Sequence, residues 1–280
     1  MERFGIRNAL IFVFRKTSFT LGLIMGLSFF LPLLLGSSVS VERQFLMLPV
    51  VLAVFFLGVM LCGRWAESKF NKLTNILYND CDPDRFLAKF MKEVYSRKSE
   101  EWRGITLLVI AQAYHAQGRF KEEEALFLQF LNNNTRSNRD DAEDIEVLAR
   151  LTILYGDAQN AAGAKKAFKK FKEKVLEQPP SQNAVARASY EELKDFVYNS
   201  YLMGIGKFDE CVGFFEWHSE HRPKGLPVVL SHYRLAEVYR ALGSPDEAER
   251  EYRTVAESGR NLYAVKMSQQ RLDELGSDRV

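Results

Sequence analysis

Two long uncharged runs stand apart from the rest of the chain. Residues 19–36 read FTLGLIMGLSFFLPLLLG and residues 45–63 read FLMLPVVLAVFFLGVMLCG. Neither carries the one-sided apolar stripe of a soluble helix; both are apolar on every face. About 20 residues at 1.5 Å each make roughly 30 Å of helix, the thickness of a hydrocarbon core. The first run holds eleven Leu, Ile or Phe residues, which contribute roughly −3 to −7 kcal/mol to insertion with no charge to offset them. The pattern predicts two transmembrane helices, about 18–36 and 45–63, joined by a tight hairpin over 37–44.

From residue 66 the pattern changes. Apolar residues recur at i, i+3, i+4 and i+7, and no stretch keeps a period of two, so the body is expected to be all-α. Asp82-Pro83 sets a capping carboxylate before a proline suited to a first helical turn, with Phe86, Leu87, Phe90, Met91 and Val94 on one face. Ser244-Pro245-Asp246-Glu247 reads as a capping box. Gly118 and Gly206 fall where one helix must stop and reverse. The longer loops are 132–140 and 177–183. The whole is a series of helical hairpins: a membrane anchor over 1–65, juxtamembrane helices over 66–100, and a helical domain over 101–280 ending in a capping helix.

One spacing recurs through that domain. Leu235-Ala236-x-x-Tyr239 is followed by Ala248-x-x-x-Tyr252, a small residue with an aromatic one turn later, on both sides of a turn. The same spacing finds Ile110-Ala111-x-x-Tyr114 with Glu123-x-x-x-Phe127, and Leu151-Thr152-x-x-Tyr155 with Ala164-x-x-x-Phe168. It also finds Tyr198-Asn199-x-x-Leu202 with Cys211-x-x-x-Phe215. This resembles the tetratricopeptide repeat (TPR) family. The departures are Asn199, Thr152 and Glu123 in small-residue slots, Leu202 for an aromatic, and Leu107, Leu148, Asp195 and His232 where the family has Trp. Repeat spacings of 41, 47 and 37 exceed the family's period of about 34. The resemblance implies an α-solenoid whose concave face, lined by the first helix of each hairpin, holds a peptide or partner helix. Helical phase points Gln112, His115, Ser200, Met203, Tyr233, Glu237 and Arg240 toward that groove.

Charge orients the anchor. The first 65 residues carry six basic and two acidic side chains, leaving 32 basic and 34 acidic in the rest. Arg3, Arg7, Arg15 and Lys16 precede the first span and Arg64, Lys69 and Lys72 follow the second. The positive-inside rule then places both termini and the repeat domain in the cytosol. A cleaved signal peptide ending near Ser38-Val39-Ser40 is the rival reading. Gly22 and Gly26, with Ser18, make a small-residue stripe that suits either a homodimer contact or packing against the second span. The near-neutral body excludes nucleic-acid binding driven by overall charge.

No catalytic motif emerges, and no cofactor or metal is expected. There is no phosphate-binding Gly-rich loop, G-x-S-x-G, H-E-x-x-H or C-x-x-C. His218 and His221 share a helical face near Glu216 and Glu220, a spacing compatible with a metal but lacking a further evident ligand. Cys211 sits in a small-residue slot and reads as a packed thiol. Lys165, Lys166, Lys169, Lys170, Lys172 and Lys174 form one basic face, which is either solvated or set against anionic lipid headgroups or an acidic partner. The acidic side chains Asp140, Asp141, Glu143, Asp144 and Glu146 could balance it. The expected function is a non-enzymatic, membrane-tethered scaffold that binds a membrane-associated protein or peptide. The alternatives are an extracytoplasmic factor holding unfolded clients and an accessory enzyme subunit using the His218/His221 pair.

Overall fold

The computed structural model describes residues 41–92, 104–132, 141–177, 184–221, 224–258 and 261–277, and every regular element among them is a helix. The chain divides into two compact units, Met1–Leu73 and Thr74–Val280. Helix α1 runs Val41–Tyr78. The expected first span, Gly22 and Gly26 lie outside the described residues. The expected second span is helical within α1, but its side chains over 41–55 lie outside the description too. Farther along this helix Phe56, Leu57, Met60, Leu61 and Trp65 are each about 60% exposed. Among the described residues no helix is long and apolar enough to cross a membrane.

The second unit is built from short helices that reverse on themselves. Helix α2 (Pro83–Phe90) starts as expected. Asp82 Oδ1 accepts the Arg85 N–H at 3.0 Å, Pro83 takes the first turn, and Phe86 and Phe90 are buried. Four hairpins follow: α3 (Gly104–Ala116) with α4 (Phe120–Asn132), α5 (Asp141–Asp157) with α6 (Ala161–Glu177), α7 (Ala184–Gly204) with α8 (Phe208–Glu220), and α9 (Leu226–Ala241) with α10 (Pro245–Ser258). Helix α11 (Tyr263–Ser277) closes the series in the place expected of a cap.

All four hairpins use the same turn. Its third residue is left-handed in each: Gly118 at φ +74°, Gln159 at +50°, Gly206 at +80° and Gly243 at +76°. The following N–H donates five residues back, from Arg119 to Tyr114, Asn160 to Tyr155, Lys207 to Leu202 and Ser244 to Tyr239, at 2.8–3.0 Å. This helix-ending motif satisfies carbonyls that the helix would leave unpaired. With the turns alike, the uneven spacing seen in the sequence goes with helix length, the first helices running 13, 17, 21 and 16 residues.

The small-residue slots Ala111, Ala164, Cys211, Ala236 and Ala248 are fully buried, letting paired helices approach. Of the aromatic slots, Phe127, Phe215 and Tyr252 are buried, while Tyr114, Tyr155, Phe168 and Tyr239 are half-buried. Successive first helices touch, α3 with α5 and α5 with α7. The α5–α7 approach is close enough that a Cβ on Gly156 would lie 2.3 Å from the Ser200 carbonyl oxygen. Thr152 stays buried in its small-residue slot by donating its hydroxyl to the Leu148 carbonyl at 2.9 Å. Asn199 is only half-buried and turns its amide to the Asp195 carbonyl.

The last helices also meet the first ones. The Tyr263 ring on α11 lies against Gly118, where a Cβ would come within 2.3 Å, and makes an edge contact with Phe120 at 5.3 Å. Asn261 and Gln117 both donate to Asp84. Gly225, just before α9, sits so near Tyr78 that a Cβ would be 2.1 Å from its carbonyl oxygen.

Candidate functional site

That return brings four charged side chains together in the buried interior. Arg234 on α9 donates from Nε and a terminal nitrogen to both carboxylate oxygens of Asp157, each at 2.6 Å. Asp157 ends α5, and its second oxygen lies 3.0 Å from His115 Nε2 on α3. His115 Nδ1 is 2.9 Å from Glu123 on α4. All four side chains are 10% exposed or less. The Phe196 ring covers the guanidinium at 5.1 Å. Two cations and two carboxylates compensate one another, as a buried cluster must.

The pairing sets the protonation. Burial alone would lower the His115 pKa, but the Glu123 charge and the bonds to Asp157 and Glu123 outweigh it and raise the pKa to about 9. The ring is therefore an imidazolium at neutral pH, donating from both nitrogens. Burial would raise Asp157, yet the Arg234 guanidinium and His115 hold it well below the usual carboxylate range. A small cleft of about 30 Å³ adjoins the cluster, lined also by Phe120, Leu230, Tyr233, Tyr263 and Ala264.

A second group centres on Glu237. Its carboxylate accepts the Tyr252 hydroxyl at 2.7 Å and Arg240 at 2.8 Å, and Arg271 from α11 approaches to 3.7 Å. Tyr233, between Tyr252 and Tyr263, is pushed above the usual phenol range by burial and by the Glu237 charge.

The expected groove residues distribute unequally. His115 and Glu237 are buried at the two charged centres and Tyr233 borders them, while half-buried Gln112 takes the Tyr78 hydroxyl. Arg240 is exposed. Ser200 and Met203 lie in the packing instead: Met203 is 2% exposed among Leu202, Cys211 and Phe215, and Ser200 is enclosed by the α5–α7 approach.

No family model, curated protein or solved structure matches this chain. The chemistry is read from its own residues. Glu123, Asp157 and Arg234 were absent from the sequence candidates. One signal existed for Glu123, a carboxylate in a small-residue slot, and its burial against His115 explains that departure. His232, where the family has Trp, similarly faces Glu251 at 2.6 Å.

The His218/His221 pair is engaged elsewhere. His218 is buried, with Nδ1 2.7 Å from the Ser231 hydroxyl and its ring on Phe196 and Phe214. His221 donates to the Trp217 carbonyl and stacks on that indole. Among the described residues no group of three or more His, Cys, Asp or Glu is placed to hold a metal. Burial pushes the Cys211 thiol up to about 12, and the thiol donates to the Phe208 carbonyl. Lys165, Lys166, Lys169, Lys170 and Lys172 are exposed on α6. Glu146, expected as a partner for them, pairs with Arg150 on its own helix at 3.0 Å.

Proposed function

We propose that this chain is a non-enzymatic, membrane-tethered scaffold whose TPR-like hairpins present a surface to a protein or peptide partner. The observation that carries the reading is the fourfold use of one turn with one small–aromatic packing scheme. Such stacking builds an extended surface from units that cannot fold alone, and the polar side chains at its centre are consumed in holding helices together. Partner contact then falls to exposed Arg240 and to Tyr233 and Gln112, which are only part-buried, with His115 and Glu237 holding the helices that carry them. Tethering is supported by the uncharged runs and by the exposed apolar side chains of α1, a density of apolar surface that belongs against lipid or protein. Both termini and the repeat domain would face the cytosol. Confinement at the membrane raises the effective concentration of a membrane-associated partner.

The test combines topology with a rim variant. Single introduced cysteines near Val280 and in the 37–44 loop of the full chain are probed with an impermeant thiol reagent. Opposite-side labelling with a cytosolic C-terminus is expected. Proximity labelling from the C-terminus should then recover a membrane-associated neighbour that Arg240→Glu reduces. An external C-terminus, or a neighbour set unchanged by Arg240→Glu and Tyr233→Ala together, would overturn the reading.

A further inference from the structure

Helix α6 presents its charge on one side. Lys165, Lys169, Lys172 and Leu176 follow one another at spacings of four, three and four residues, which confines them to about 60° of helix circumference. Lys166 and Lys170 both lie to one side of that stripe, roughly 60° and 100° beyond its edge. The opposite side carries the buried Ala164, Ala167 and Phe171. Among the described residues the ion pair on the outward face is the one from Lys169 to Glu173, loose at 4.0 Å, with the Lys169 side chain 79% exposed. Five lysines stand against Glu173, with Glu177 ending the helix, so this side of α6 is net basic.

Apolar groups share the surface. Leu176 is 81% exposed at the end of the lysine stripe, and Tyr198 is 46% exposed beside it. Tyr198 belongs to an aromatic group in which Phe168 stacks on Tyr201 at 4.3 Å, while Lys172 reaches over the Phe168 ring. Lysines that project from one rigid helix, with a protruding leucine and tyrosine among them, do not line a groove. They match a plane of negative charge with an apolar layer beneath it.

We infer that this face of α6 rests on an anionic lipid surface, Lys165, Lys166, Lys169, Lys170 and Lys172 meeting headgroup phosphates and carboxylates while Leu176 and Tyr198 enter the interface. The inference rests on the tethering reading, which supplies the bilayer. An acidic peptide would satisfy the charge but leaves Leu176 without a role.

The full chain is placed in nanodiscs of phosphatidylcholine, with or without phosphatidylserine, and lysine acetylation rates are read residue by residue. In the anionic discs Lys165, Lys169 and Lys172 should react about fivefold more slowly, while exposed Lys121 and Lys266 on other helices keep their rates. High salt should remove the protection. The combined variant K165Q/K169Q/K172Q should cost Lys166 and Lys170 theirs. Equal rates in both discs, or protection by soluble polyglutamate but not by phosphatidylserine, would overturn the proposal. Retention of the chain in neutral vesicles through an alkaline wash reads the anchor separately. A chain washed out overturns the tethering and this proposal with it, whereas a retained chain with uniform lysine rates overturns the lipid face alone.

Discussion

Replacing His115 by Gln should change how stability depends on pH. In the folded chain the imidazole is raised from its ordinary 6.5 to about 9. A raised basic group contributes stability that is complete below the unfolded value and disappears as pH climbs through the folded one. Protonated His115 should therefore stabilise the unit fully below pH of about 6.5 and lose that contribution by about pH 9. The displacement corresponds to about 3 kcal/mol, or about 10 °C in melting temperature for a unit of this size. The two carboxylates on the ring, Glu123 and Asp157, support that sign, and the Arg234 guanidinium that shares Asp157 works against it. Asp157 is held well below the usual carboxylate range, and burial raises Tyr233 and Tyr263 so that both stay neutral.

The assay is denaturant unfolding of the full chain followed by helical circular dichroism at pH 6, 7.5 and 9.5. Wild type should lose about 3 kcal/mol more than His115→Gln across that range, and the difference should survive high salt, because a buried pair is weakly screened. Parallel profiles for the two proteins would refute the buried imidazolium. A difference that vanished in salt would place the ring in water.

Asp157→Asn keeps the shape of its side chain but strips Arg234 and His115 of their shared counter-charge, and should cost about 3–5 kcal/mol in the same unfolding assay. Gln159 holds a left-handed conformation that glycine holds in the other three turns, so Gln159→Gly should stabilise by about 1 kcal/mol. Gly118→Ala combines that backbone penalty with a clash against Tyr263, and a loss of at least about 2 kcal/mol is expected by thermal melting. Phe215→Ala empties a fully buried slot between hairpins and should cost about 3–5 kcal/mol by denaturant titration.

What the sequence made legible was local. A helix period of 3.6 residues leaves its mark within a dozen positions, so the all-helical body, the Asp82 cap and the turns at Gly118 and Gly206 could be read directly. The small and aromatic slots were legible for the same reason, since steric demands at a helix crossing act on single residue types. Gln159 escaped because its side chain does not announce a left-handed backbone. The charged centre escaped for a different cause. Asp157 and Arg234 are 77 residues apart, and no spacing rule links an aspartate at the turn of one hairpin to an arginine two hairpins later. Ser200 and Met203 show the opposite failure. Their helical phase matched the groove, but Gly156 and Gly204 draw α5 and α7 together over Ser200, and Met203 packs against Cys211 and Phe215 of α8.

The long-range pair changes what kind of object the repeat domain is. An open solenoid joins each hairpin only to its neighbours, so its stability is a sum of units and adjacent interfaces, and it can open at any joint. Here Arg234 ties the fourth hairpin to the end of α5 in the second, His115 extends the tie to the first, and Tyr263 seats the last helix against Gly118. Opening any one joint exposes a buried charge whose partner lies in another hairpin, so the penalty for local opening is shared across the unit. A surface held this way is pre-organised rather than elastic. If the proposed partner contacts Arg240 and Tyr233, it loses little free energy to ordering its receptor. The polar side chains at the centre are spent on joining hairpins rather than left open to a ligand.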